Sequence, residues 1–284
     1  MNYEGIGGSD IPAIIGVNPY KTAYQLWLEK TGQAPATQDN KYMRAGRKLE
    51  QVVAEFFSEE TAAKVIPSPG PVLIDGWMRA SVDRLYIRNP QEQEILECKT
   101  TQKTHDVPDP AWLAQLHWYF HLLKKNHGAI AWLEKGVDFK YYFIDADEDF
   151  IRYITQLAYE FWFKNVLEKI RPEPQNLGDV ELMFRTATTG KVIEVQELEE
   201  VHEKIITLKE QKKAIEEELE QLEEKVKVIM KDAEIVTIGG RPAFSWKNTK
   251  PFLRLDTEAI KKEAPELYEK FGKETIQRRF YVHE

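Results

Sequence analysis

Apolar and polar positions alternate most clearly over residues 77–101. Met78, Ala80, Val82, Leu85 and Ile87 supply strand positions, Asn89-Pro90 breaks the run, and 94–99 resumes it, which predicts two β-strands joined by a turn. Upstream, Met43, Leu49, Val52, Val53, Phe56 and Phe57 recur at helical spacing and predict an amphipathic helix over 41–60 with those side chains buried. Shorter helices are expected from Ile11 and over 22–31, the second ended by Gly32. Short strands are expected at 64–68 and 72–74, separated by Pro-Ser-Pro-Gly-Pro. Pro110 opens a helix to about 125 that is apolar nearly all round and therefore largely buried. A hairpin over 128–134 and 137–144 follows, then a long aromatic-rich helix over 148–170, and Pro172 and Pro174 close the unit.

Beyond that point the pattern changes. Leu198, Val201, Ile205, Leu208, Lys212, Ile215, Leu219, Leu222, Val226 and Ile229 are spaced by alternating threes and fours, a heptad whose a and d positions are apolar except Lys212. Such a stripe has to be buried against another surface. Gly239-Gly240 between two short apolar runs predicts a hairpin over 235–247. Asp256 caps a short helix, Pro265 starts another, and 275–282 reads as a returning strand. The expected organisation is an α/β (α+β) core over 1–190, a coiled-coil helix over 191–234 and a small basic α+β region over 235–284.

Composition narrows the function classes. The chain has 284 residues and one cysteine, Cys98, so an internal disulfide and any four-cysteine cluster are excluded and a cytoplasmic setting is expected. No run approaches the ~18 apolar residues of a membrane helix. Net charge is −8, yet 194–234 carries 14 acids against 7 bases while 235–284 carries 10 bases against 7 acids. A basic patch on an acidic chain is therefore compatible with a nucleic-acid partner.

The candidate chemistry lies on the central hairpin. Glu97 and Lys99 are two apart and leave the same face of a strand, and Asp83 comes fourteen residues earlier, across the turn. Two carboxylates and an ammonium at one strand end suit a hard cation such as Mg²⁺ or Mn²⁺. Charges guarding an edge strand give the same pattern, and Glu-x-Lys recurs at 210–212 and 223–225, so the residues alone leave both readings open. Glu50 lies near the buried face of the 41–60 helix. Gly5-Ile6-Gly7-Gly8-Ser9-Asp10 feeds a helix start with Ser9 or Asp10 as N-cap, which suits an anion or an ordinary capped turn. Lys103 and His105 sit in the loop after Lys99, and Gln115 and Tyr119 share one helix face. His117 and His121 lack the acid of a zinc-binding His-Glu-x-x-His helix. Arg44, Arg47, Trp246 and Lys247 are candidate DNA contacts or plain surface groups.

The order of motifs resembles a known family. Gly7-Gly8-Ser9-Asp10, Gly46-Arg47-Lys48-Leu49-Glu50, Ser81-Val82-Asp83, Leu96-Glu97-Cys98-Lys99 and Ala114-Gln115-Leu116-His117 are similar to the motifs of the lambda exonuclease family. They resemble still more the YqaJ-type viral recombinases of phages and prophages. The resemblance covers about residues 5–165 and implies a PD-(D/E)XK, restriction-endonuclease-like core with a central mixed sheet flanked by helices. It implies a 5′→3′ exonuclease on linear duplex DNA that leaves 3′ single-stranded tails for a single-strand-annealing partner protein. By the same resemblance Asp83, Glu97, the backbone carbonyl of Cys98 and Glu50 hold two Mg²⁺ ions, Lys99 acts on the attacking water, and Gln115 completes the catalytic set. Ser9 matches a 5′-phosphate contact, with Lys103 and His105 where the family has an arginine, and a homo-oligomeric ring trimer is implied. Two alternatives stand beside it: another DNA repair nuclease of the superfamily, and a non-catalytic coiled-coil scaffold that binds DNA ends.

Overall fold

The computed structural model describes residues 5–35, 38–89, 92–251, 253–273 and 278–283. They divide into two compact units, Met1–Met183 and Phe184–Glu284.

In the first unit a short strand β1 (Ile6–Gly7) leads into α1 (Ile11–Ile14) and α2 (Ala23–Lys30). Thr22 and Gln25 form a reciprocal capping box at the start of α2, an arrangement worth about 1 kcal/mol. Next come α3 (Lys41–Thr61), β2 (Lys64–Pro67), β3 (Val72–Ile74), β4 (Met78–Ala80), β5 (Arg84–Asn89) and β6 (Glu92–Thr101). The unit continues with α4 (Pro110–Leu123), β7 (His127–Glu134), β8 (Asp138–Asp145), α5 (Glu148–Glu160) and α6 (Leu177–Met183).

The main sheet has the order β2-β5-β6-β7-β8. It is mixed: β6 and β7 run parallel, joined by the α4 crossover, and every other pairing is antiparallel. Alternation along β6 sends successive side chains to opposite faces. Leu96 and Cys98 pack with Val53 and Phe57 of α3 on one face, while Ile95 joins Leu116, Trp118 and Phe120 of α4 on the other. Glu97 and Lys99 share the α4 face with Ile95. Gly128 permits the close fit of α4 on the sheet, since a Cβ there would meet the Phe120 ring at 2.8 Å and the Ile95 carbonyl at 2.9 Å.

Several expectations are corrected. The first half of the 77–101 segment is not one strand. β4 leaves the main sheet and pairs with β1 and β3 in a separate three-stranded sheet, because residues 81–83 turn the chain before β5 begins. The turn expected at Asn89-Pro90 falls partly on 90–91, outside the described residues. Met43 and Phe56 are exposed rather than core; the N-terminal half of α3 is exposed, and its buried face is Val53, Ala54 and Phe57. The 148–170 helix changes at Phe161 into a π-helical stretch, Phe161–Leu167. That wider turn lets the consecutive Phe161, Trp162 and Phe163 all reach the same core. Helix α6 was not expected. It carries Asp179, which is fully buried and accepts from Thr22 Oγ1 (2.7 Å) and the Gln175 N–H (2.9 Å).

The second unit contains the long helix α7 (Glu199–Met230), the hairpin β9 (Ile235–Ile238) and β10 (Arg241–Ser245), and the short helices α8 (Thr257–Glu263) and α9 (Pro265–Phe271). The heptad stripe of α7 is mostly at the surface, with Ile215 65% exposed. At its C-terminal end Met230 is buried, and an apolar cleft of about 640 Å³ separates Leu222 and Val226 from Phe244 and Trp246. Residues 278–282 form no strand: Arg278 donates to the Phe184 carbonyl at 3.1 Å instead. Residues 275–277 of that expected strand lie outside the described residues.

Candidate active site

The sheet and α4 converge on Glu97. Its side chain is 1% exposed on β6. Oε1 accepts from Lys99 Nζ at 2.7 Å and from Gln115 Nε2 at 2.6 Å. Lys99 Nζ also donates to Gln115 Oε1 at 2.9 Å, which closes a triangle of acid, ammonium and amide. Tyr119, one helical turn beyond Gln115, accepts from the same amide nitrogen at 3.0 Å.

Asp83 stands just before β5, where Oδ2 accepts from the backbone N–H of Cys98 at 2.9 Å. This bond holds the carboxylate beside the strand that carries Glu97 and Lys99. Glu50 comes from α3; burial, and then the Asp83 charge, raise its carboxyl above the ordinary range. Burial is also the main reason the Glu97 carboxyl is pushed up to about 8; Asp83 pushes the same way, and Lys99 opposes it. The Lys99 ammonium is raised: its burial disfavours the charge, but Glu97 and Asp83 outweigh that. The Cys98 thiol is pushed up by burial and by the neighbouring carboxylates, so it is an inert core group.

Asp83 raises the proton affinity of Glu50 and of Glu97, and acids gathered this closely make a site that favours a cation. Glu97 Oε2 is buried with no hydrogen-bond partner, which leaves one carboxylate oxygen free to ligate. Oxygen donors of this kind suit a hard divalent ion. Among the described residues no three His, Cys, Asp or Glu side chains already converge as a closed ligand group. Asp83 and Glu97 are each turned to a protein donor, the Cys98 amide and the Lys99 ammonium. The donor set fits a divalent cation held by Asp83 and Glu97 with Glu50 close by.

The glycine-rich turn reaches the same place. A Cβ on Gly8 would lie 2.5 Å from the Tyr119 ring, so the turn packs directly on the residue behind Gln115. Asp10 stands at the N-cap position of α1 but makes no side-chain cap bond. It accepts from the Gly7 N–H (2.9 Å) and pairs with Lys30 (2.7 Å), which fixes the turn and leaves Ser9 exposed.

Lys103 and His105 sit on the loop between β6 and α4. Lys103 is exposed, while the His105 ring lies 5.0 Å from the Trp112 ring. Arg44 is exposed on α3, and Arg47 is paired with Asp39 at 2.6 Å. Trp246 and Lys247 belong to the second unit, where Trp246 lines the cleft against α7. His117 is a buried core histidine whose Nδ1 is bonded to the Leu113 carbonyl at 2.8 Å. Sequence reasoning missed Glu134, buried at the end of β7. The signal for it was a single acid closing the apolar run Ala129 to Leu133.

The YqaJ-like viral recombinase domain model matches residues 1–112, a span that contains the Gly8 turn, Glu50, Asp83, Glu97 and Lys99. The uncharacterised protein YqaJ of Bacillus subtilis (strain 168) is 32% identical over 300 residues, covering 99% of this chain and 92% of the relative. The chain belongs to the YqaJ-like viral recombinase family. Relatedness to YqaJ thus spans both units, whereas the family domain stops soon after α4 begins. The chain is also similar to solved structures, among them two exonucleases. An alkaline exonuclease from Laribacter hongkongensis is 16% identical with a TM-score of 0.47, covering 65% of this chain and 93% of its own. A phage-related exonuclease from Haemophilus somnus 129PT is 14% identical with a TM-score of 0.44, covering 58% and 96%.

Proposed function

We propose that this YqaJ-family protein is a metal-dependent exonuclease that digests linear double-stranded DNA from its 5′ ends and leaves 3′ single-stranded tails for annealing recombination. The observation that carries the proposal is the buried Glu97–Lys99–Gln115 triangle with Asp83 tied beside it through the Cys98 amide. A phosphodiester is an anion that bare carboxylates would repel, so two acids gathered with an ammonium match metal-assisted phosphoryl transfer better than a structural role.

Asp83 and Glu97 would hold Mg²⁺, with the Cys98 carbonyl and Glu50 completing the set; two ions would neutralise charge on the attacking and leaving oxygens of an in-line displacement. Lys99 holds its positive charge at the edge of the site, 21% exposed, where it can orient a water and balance charge that develops on the phosphate. Gln115 fixes the positions of Lys99 and Glu97 together. Ser9, on the turn packed against Tyr119, and Lys103 and His105 on the β6–α4 loop are the proposed contacts to a terminal 5′-phosphate. A ring assembly around the duplex and a single-strand-annealing partner complete the proposal, supported by the motif resemblance and by membership of a viral recombinase family.

The test is digestion of a linear duplex labelled at the 5′ or the 3′ end, with and without a 5′-phosphate, in Mg²⁺ and in EDTA. Mg²⁺-dependent release of 5′-labelled mononucleotides, faster with the phosphate, is expected. A bound but intact duplex would sink the catalytic assignment and leave a DNA-end-binding scaffold.

A further inference from the structure

The β6–α4 loop, residues 102–109, joins the strand that carries Lys99 to the helix that carries Gln115. Its middle is held from the side by the β7–β8 hairpin. Glu134 is 2% exposed at the end of β7. Its Oε1 accepts from the His105 backbone N–H (2.8 Å), from Trp132 Nε1 (2.8 Å) and from Lys140 Nζ (3.1 Å). Lys140 Nζ, from β8, donates in turn to the His105 carbonyl at 2.6 Å. Both backbone polar groups of His105 are thus bound by one ion pair. Tyr142 adds a bond to the Asp106 carbonyl at 3.0 Å, and the His105, Trp112 and Trp132 rings lie in sequence at 5.0 and 5.7 Å.

A buried carboxylate paired to a half-buried lysine is a poor way to close a hairpin, because apolar side chains of similar volume are often as stable or better. Apart from the bond from Trp132, the pair's remaining bonds go to the loop, at His105, itself one of the proposed end-binding residues. The Glu134 carboxyl is held down to about 2, first by the Trp132 indole and then, against its burial, by the His105 amide and Lys140. It therefore stays ionised across the working pH range.

We propose that Glu134 and Lys140 form a positioning pair that fixes loop 102–109, so that Lys103 and His105 select a phosphorylated DNA end. The purpose assigned to the pair rests on the exonuclease reading above; the clamp itself does not. Neither residue touches the DNA in this account, so both are positioning residues.

The test uses full-length Glu134→Ala and Lys140→Met, with Glu134→Gln as the conservative variant. Rates on 5′-phosphorylated and 5′-hydroxyl duplexes are measured alongside amide hydrogen exchange. In the first two variants KM for phosphorylated ends is expected to rise about tenfold while kcat holds, the scale on which outer supporting residues act. Hydroxyl ends should be cut at the parent rate. Amides of 102–109 should exchange faster with α4 protection unchanged, and Glu134→Gln should recover most of the loss because its carbonyl still accepts from both N–H groups. Parental phosphate preference in both variants, or unchanged exchange at 102–109, overturns the proposal. A parent without Mg²⁺-dependent cleavage overturns the exonuclease reading instead, and the exchange arm then decides the clamp by itself.

Discussion

Lys99 Nζ donates to Gln115 Oε1 at 2.9 Å, and the other half of the same amide donates to Glu97. An amide oxygen only accepts and an amide nitrogen only donates, so one side chain sets the positions of the ammonium and the acid together. Gln115→Ala should lower the cleavage rate by about 10- to 100-fold. The far-UV spectrum and melting midpoint should stay near those of the parent. A variant with full activity would remove Gln115 from the mechanism.

Lys99 and Asp83 should separate when each is changed. Lys99→Ala is expected to lower kcat by about 10²–10³, the scale for losing one charge-stabilising group. Mg²⁺ affinity, read by calorimetry, should be kept. Asp83→Asn should lose both, since a proposed ligand is neutralised. Equal metal affinity in the two variants would argue against Asp83 as a ligand.

Gly8 couples the turn to the amide. Gly8→Ala places a Cβ 2.5 Å from the Tyr119 ring, closer than side chains tolerate, so either the turn or Tyr119 has to move. Activity on phosphorylated ends should fall, and Tyr119→Leu, which clears the space, should partly restore it in the double variant. Additive losses in that double-mutant cycle would deny the contact a role.

Glu97 predicts a pH signature. Its folded pKa of about 8 lies above the ordinary carboxyl value, which is ~4.3 in model peptides. The folded metal-free protein therefore binds the extra proton. This contribution to stability is complete below the unfolded pKa and is lost as pH rises through about 8. In EDTA, the melting midpoint of Glu97→Gln should gain on the parent between about pH 4 and about pH 8. Mg²⁺ has to displace the same proton, so parental binding should tighten over that interval. A difference in midpoint that is flat with pH contradicts the raised carboxyl.

Asp179 makes a prediction about stability alone. Truncation to Ala leaves the Thr22 hydroxyl and the Gln175 amide without their acceptor, at a cost of about 1–3 kcal/mol. Urea unfolding should show the loss, with cleavage unchanged under native conditions.

Local patterns were legible wherever one period dominated. The apolar spacing located α3, α4 and α7, Asp256 and Pro265 marked the starts of α8 and α9, and Gly239-Gly240 marked the β9–β10 hairpin. Patterns failed where a neighbour outside the segment decided the outcome. β4 pairs with β1, some seventy residues earlier, and no local alternation carries that information. Phe56 has the spacing of a core residue but lies beside the half-buried Phe139 on the edge strand β8.

The sequence by itself singled out the candidate residues and determined which two share a face. Glu97 and Lys99 leave one side of β6 because side chains alternate along any strand, and the motif order from Gly7 to Gln115 was readable as a family resemblance. Tertiary structure alone decided that Gln115 bonds both of them, that Asp83 meets the Cys98 amide, and that Glu134 and Lys140 hold the loop between. Each of these bonds joins different elements of the chain. Their geometry is set by the β5–β6, β6–β7 and β7–β8 pairings and by the packing of α4 on the sheet, and a one-dimensional pattern contains none of these.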